Sequence, residues 1–276
     1  SVRKLNHAGV ALSPRPSKFG PLLFAGDLNE GLNRASQYGF EFVELSIRST
    51  DDVNPSDLND RLEKLDLKVS ALATGQACLF DCLCVGSSDH QKRRNAVEHL
   101  KRITLLAKAI HSASVIIGGI RGFLSGEAEE RLQNYKNGVE AVRECAFFME
   151  EQGIQLLIEP INRYEMNWIL TAQQGLEFLS DVGIGSVKLL LDTFHMNIEE
   201  SDTLAALRDC GDRLGYVHFA DNTRHAPGTG QIDFISILRT LKSISYTGPM
   251  VAEILPIPDD LTAIRYTAEF WEKVQA

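Results

Sequence analysis

Four side chains with chemistry to offer stand inside otherwise apolar runs of the second half of the chain: Glu159 in LLIEP, Asp192 in LLLDT, His218 in YVHFAD and Glu253 in MVAEIL. A charge is costly in such a run unless it is paired or ligated. One such acid alone has a bland explanation, since strand-end carboxylates often cap a helix or meet an arginine. Three carboxylates and one imidazole together form an oxygen-rich set with a single nitrogen. That set suits Mn²⁺, Mg²⁺ or a similar divalent ion in roughly octahedral coordination better than structural Zn²⁺. The alternative, a buried ion-pair network, lacks cations within these runs except Lys188 at the start of its strand.

A second group of polar residues follows in the adjoining loops. Glu165 comes six positions after Glu159 in EPINRYE, His195 three after Asp192 in DTFH, and Arg224 six after His218 in HFADNTR. A neutral histidine and an arginine beside a metal can hold hydroxyl or carbonyl oxygens of a substrate. The competing reading for each is an exposed loop residue. His7, Glu44 and Gln76 are weaker candidates: His7 reads as a locally packed side chain and Glu44 as a paired strand-end acid. Trp168 suits either a sugar-site wall or a core position. Asp221 reads as a hydrogen-bonding loop residue, and Pro227, Gly228 and Gly230 as a turn before Asp233 starts a helix.

What must position these residues is visible as alternation. Short β-rich apolar runs occur at 7–12, 40–46, 68–74, 114–120, 154–160, 187–193, 215–221 and 249–255. Several are apolar at nearly every position, as expected of parallel strands covered on both faces. Between most of them lie stretches with helical period and caps: from Asp27 to Gly39, from Ser88 through Ile110, from Gly126 to Gln152, and from Thr171, an N-cap, to Val182. Eight β-then-α units in 276 residues give about 34 residues each, close to the size of a βαβ repeat. The prediction is an α/β fold, a single (β/α)8 TIM barrel over residues 1–276. No glycine-rich phosphate turn follows the first strand, which disfavours an open dinucleotide-binding sheet. In a barrel the C-terminal strand ends share one mouth, and the four residues sit at those ends. Proline after Glu159 favours extended geometry there and aims the carboxylate at the mouth.

Composition sets the limits. A formal charge of −9 argues against a nucleic-acid partner or an anionic membrane surface, both of which need clustered Lys and Arg. No apolar run is long enough to span a bilayer, and no signal pattern is evident, so the expected location is cytoplasmic. The five cysteines, an odd number without framework spacing, read as plain thiols in a reducing compartment; CLFDCLC, with Cys78, Cys82 and Cys84, offers too few sulfurs for a closed zinc site. The sequence leaves room for a homo-oligomer.

The combined pattern E-P-x-N-x-x-E, L-D-x-x-H-M, H-x-x-D-x-x-R-x-x-P-G-x-G-x-x-D-F and a final strand glutamate resembles the xylose-isomerase-like barrel superfamily, and within it the D-tagatose 3-epimerase and D-psicose (allulose) 3-epimerase group. The resemblance covers about residues 154–255. It implies an isomerase of carbohydrate metabolism acting on a free monosaccharide with a divalent metal ion, Mn²⁺ first and Co²⁺ or Mg²⁺ next. Carried over residue by residue, it implies metal ligation by Glu159, Asp192, His218 and Glu253, acid/base catalysis by Glu159 and Glu253, and substrate binding by Glu165, His195 and Arg224. The reaction implied is inversion at C3 of a ketose through an enediolate, which a metal on the carbonyl stabilises. The loops LSPRPSKFGPLLF and ATGQACLFDCLC match no particular epimerase, and they would cover the far end of the sugar. Aldose-ketose isomerisation, as in hydroxypyruvate isomerase, is the near alternative. An endonuclease IV-like DNA repair enzyme is the distant one, disfavoured by the acidic balance and by the lack of further strand-end histidines.

Overall fold

In the computed structural model, which describes residues 2–17 and 20–275, eight strands close into a barrel in chain order. They are β1 (Leu5–Leu12), β2 (Phe40–Ser46), β3 (Lys68–Ala73), β4 (Ser114–Ile117), β5 (Gln155–Ile158), β6 (Lys188–Asp192), β7 (Leu214–Phe219) and β8 (Met250–Ala252). Every neighbouring pair is parallel, and β1 pairs with β8 to shut the ring. Lys18 and Phe19, in the loop after β1, lie outside the described residues.

The helices are α1 (Leu28–Gln37), α2 (Pro55–Leu65), α3 (Gly75–Asp81), α4 (His90–Ala109), α5 (Ala128–Glu151), α6 (Ala172–Val182), α7 (Thr193–Glu199), α8 (Thr203–Cys210), α9 (Phe234–Ser243) and α10 (Asp260–Gln275). Their starts follow from side-chain caps. Asp27, Asp89, Thr171 and Asp233 each accept a hydrogen bond from a backbone N–H of the first turn. The helix anticipated from Ser88 therefore begins two residues later, behind Asp89. The fourth strand, anticipated to reach Ile120, stops at Ile117 because Gly118 leaves the extended region and a short 3₁₀ turn follows.

Two apolar layers hold this frame. The larger lies between strands and helices. The smaller fills the barrel itself with Ala11, Leu22, Ala71, Ile116, Leu157, Leu190, Tyr216 and Val251. Small residues on β1 and β3 leave room for Tyr216, whose large side chain ends in a polar hydroxyl. Its phenol sits just beneath the strand ends that carry the acids.

The cysteines depart from expectation. Cys78 and Cys84 form a disulfide, while Cys82 is an exposed thiol and Cys145 and Cys210 are buried thiols. The cause is a reversal that spacing alone does not reveal. Helix α3 ends at Asp81, Cys82 adopts a left-handed conformation with φ of 56°, and the chain doubles back. That brings the α-carbons of Cys78 and Cys84 to 4.8 Å.

Candidate active site

Glu159 follows β5, Asp192 ends β6, His218 lies in β7 and Glu253 follows β8, so all four reach the same end of the barrel. One potential ligand atom from each lies within 4.8 Å of the others. His218 is fully buried, Asp192 is 1% and Glu159 6% exposed, and the Glu253 side chain retains 14%. His218 Nδ1 stands 3.4 Å from Glu159 Oε2 and 3.6 Å from Asp192 Oδ2, and its Nε2 is 3.6 Å from Glu253 Oε2.

Each acid is held from its own side. Asp192 is the N-cap of α7, accepting from the N–H groups of Phe194 and His195 with Oδ1 and leaving Oδ2 to face the cluster. Glu159 has its carboxylate against Gly118, where an added β-carbon would lie 2.8 Å from Oε1; no side chain fits there while Glu159 keeps its place. Behind the strand, fully buried Arg121 donates to the carbonyls of Glu159, Trp168 and Ile169. Burial pushes the Arg121 guanidinium down, to about 9, against the pull of Glu159, so it remains a cation at neutral pH.

The loop residues divide. Arg224, 8% exposed, donates to Asp192 Oδ2 at 2.7 Å and to Glu253 Oε1 at 3.0 Å. Its backbone is left-handed, with φ of 67°, and this turns the side chain back over the mouth. The buried ion-pair alternative therefore does have a cation, supplied by the loop and not by a strand. His195 is buried, with Nε2 3.9 Å from Glu159 Oε2. Its Nδ1 lies 2.8 Å from Asn162 Nδ2 and 3.3 Å from the Asn162 backbone N–H. Since both Asn162 groups are donors, Nδ1 accepts and the proton sits on Nε2, toward the site. Glu165 is at the rim, its side chain 58% exposed, accepting from Asn162 Nδ2 at 2.7 Å.

Asn162 is the residue that the sequence reading passed over: it lies in the E-P-x-N motif, but its task of orienting His195 depends on a contact 33 positions away. Glu44, rated weak, is fully buried and touches both His218 and Tyr216. Its signal was present, a carboxylate inside the apolar run FVELSI, the same criterion that selected the other four. Trp168 is core: its ring packs edge-on against Tyr135 and Phe178, and its Nε1 donates to the Gly122 carbonyl. Gln76 donates to Ser46 Oγ, and His7 is exposed near the start of β1, away from the mouth. Asp221 acts as the loop organiser, accepting from the N–H groups of Asn222, Gly228, Gly230 and Ile232. Gly230 admits that contact, since a β-carbon there would come within 2.5 Å of Asp221 Oδ1.

The electrostatics favour an added cation. Four carboxylates, those of Glu44, Glu159, Asp192 and Glu253, gather around one guanidinium and two imidazoles. Burial opposes the charge on Asp192, but Arg224, His195 and His218 outweigh it and hold the carboxyl well below its usual range. For Glu253 burial dominates and, with the Glu159 charge, drives the carboxyl well above its ordinary value despite His218 and Arg224. Burial likewise opposes charge on His218, yet Glu253 and Glu44 raise it well above the usual imidazole value. Glu44 Oε2 is buried without a protein partner. A hard divalent ion fits this donor set, as oxygen-rich sites with one imidazole do.

The family model for xylose isomerase-like TIM barrels matches residues 32–274. An L-ribulose 3-epimerase of Methylomonas sp. strain DH-1 is 30% identical over 249 residues, 87% of this chain and 85% of the relative. A D-psicose 3-epimerase of Enterocloster bolteae is 31% identical, over 82% of this chain and 76% of the relative. The solved structure of a D-allulose 3-epimerase from Methylomonas sp. in complex with D-allulose superposes with a TM-score of 0.83 at 25% identity, covering 99% of this chain and 98% of that one. Among the described residues, no helix is long and apolar enough to cross a membrane.

Proposed function

The chain belongs to the xylose isomerase-like TIM barrel family, alongside ketose 3-epimerases, and we propose that it inverts C3 of a free ketose with the help of one divalent metal ion. The observation that carries this reading is the convergence of Glu159, Asp192, His218 and Glu253 to within 4.8 Å at the barrel mouth. These four would hold the metal. When bound, it would supply Lewis acidity, lowering the cost of negative charge on the carbonyl oxygen as the neighbouring C–H is broken. Mn²⁺ is the ion we favour, from the oxygen-rich donor set and its single imidazole.

The chain's own groups do the rest. One of Glu159 and Glu253 takes the C3 proton, and the electron pair moves into the C2–C3 bond. The other returns a proton to the opposite face of C3, so the carbon is inverted and the carbonyl stays at C2. Paired general acid/base action of this kind contributes about 10²- to 10⁴-fold. His195, with its Nε2–H turned inward, and Arg224, on the rim of the cluster, grip the ketose oxygens and fix which carbon faces the carboxylates. Glu165, more exposed, binds a hydroxyl further out. D-Psicose, D-tagatose and L-ribulose are the ketoses to try first, since relatives carry the first and last in their names.

The test is to strip the purified protein of metal, add back Mn²⁺, Co²⁺ or Mg²⁺ singly, and screen ketohexoses and ketopentoses. Activity restored by Mn²⁺ on a ketose supports the reading, and no turnover of any ketose with any ion refutes it. The Cys78–Cys84 bond removes free thiols as an argument for a reducing compartment, and a cytoplasmic location remains part of this proposal.

A further inference from the structure

Beneath the four proposed ligands runs a buried polar chain that crosses the barrel. Ser70 Oγ on β3 lies 2.7 Å from the Tyr216 hydroxyl on β7. That hydroxyl donates to Glu44 Oε1 on β2 at 2.8 Å, and the same oxygen is 2.6 Å from His218 Nε2. Glu44, His218, Tyr216 and Ser70 are each at most 1% exposed. A carboxylate in a barrel interior is expensive unless it is paired and hydrogen-bonded, so a polar chain at this depth needs a purpose.

The geometry around the imidazole supplies one. The shortest contact of the ring is Nε2 to Glu44, and a carboxylate can only accept, so Nε2 must carry the proton. The other nitrogen, Nδ1, is the one turned to Glu159 and Asp192, at 3.4 and 3.6 Å. Tyr216 fixes the carboxylate in turn. Its ring packs edge-on to the imidazole with centroids 5.5 Å apart, leaving the ring little freedom to flip.

We propose that Glu44 is a positioning residue: by accepting the Nε2–H of His218 it fixes the tautomer and orientation that present the Nδ1 lone pair to the metal. This rests on the metal reading given above. Glu44 itself contacts neither the proposed metal nor the sugar, and acts through the histidine, as carboxylate partners of metal-bound imidazoles commonly do. It also assigns a part in the site to β2, on the half of the barrel that otherwise supplies no ligand.

Two measurements on the full chain test it. Titration calorimetry with Mn²⁺ compares wild type, Glu44→Gln and Glu44→Ala. We expect Glu44→Ala to bind Mn²⁺ about 10- to 100-fold more weakly, the range set by removing such partners. Glu44→Gln should recover most of that loss, because its amide oxygen can accept the same bond. Wild-type affinity in Glu44→Ala overturns the inference while leaving the metal site standing; wild type that binds no Mn²⁺ refutes the metal reading itself. The second measurement needs no variant and so survives a Glu44→Ala chain that does not fold. In ¹⁵N spectra of the Mg²⁺-loaded protein, the His218 proton should reside on Nε2, and a proton on Nδ1 contradicts the proposal.

Discussion

The two halves of the barrel mouth use charge in opposite ways. In the half built from β5 to β8, Asp192 and Glu253 share the guanidinium of Arg224, and with Glu159 they crowd around the buried imidazole of His218. In the half built from β1 to β4, two acids each have their own arginine. Arg15 pairs with Asp52, and Arg48 grips Asp81 through two hydrogen bonds of 2.7 and 2.8 Å. The arginines there keep 31% to 41% of their side chains in solvent. Such pairs are self-sufficient and hold loops in place. The acids of the other half instead crowd around shared, buried partners, which is the arrangement we read as a proposed metal and substrate site and not a structural ion pair. Glu44 belongs by sequence to the first half and by contact to the second.

That contrast can be broken or sharpened by substitution. The largest effect should follow Glu253→Gln, which removes one of the two proposed acid/base groups. Turnover of the ketose should fall about 10²- to 10⁴-fold in steady-state assays, with the fold preserved by circular dichroism. Next comes Gly118→Ala, whose new methyl must displace Glu159 Oε1. Overpacking of this kind costs about 1 to 3 kcal/mol, to be seen in urea denaturation, and activity should drop with the displaced carboxylate. Asn162→Ala should be milder. It removes the side-chain hydrogen bond to His195 Nδ1 while keeping the one from the backbone N–H, and a loss of about 1 kcal/mol of orientation should raise KM for the ketose several-fold. Smallest of all is Arg48→Ala in the other half: loss of the partly exposed Arg48–Asp81 pair should barely move the urea midpoint, by still less at high salt, and leave turnover unchanged. A large activity loss from Arg48→Ala, or none from Glu253→Gln, would erase the distinction between the halves.

Much of this was legible in the residues. Eight apolar runs marked the strands to within a few positions, because a parallel strand covered on both faces leaves an uninterrupted apolar signature. The acids inside those runs were conspicuous for the same reason. Other features left no local trace. The contact of Glu44 with His218 joins residues 174 apart, and Arg224 reaches Asp192 only through a left-handed backbone that a sequence does not display. Gly118 looks like any turn glycine until the carboxylate of Glu159 is laid against it. The disulfide escaped notice because Cys78 and Cys84 meet only where Cys82 reverses the chain.

The most direct test of the central claim is to incubate the Mn²⁺-loaded protein with D-psicose or L-ribulose in D₂O and to follow the sugar by NMR. The account predicts deuterium at C3 of the product, inverted configuration there and a carbonyl still at C2, with product formation slowed about 10²- to 10⁴-fold in Glu253→Gln. Deuterium at C1 with a carbonyl shift to an aldose, or no exchange in any ketose supplied, would contradict it.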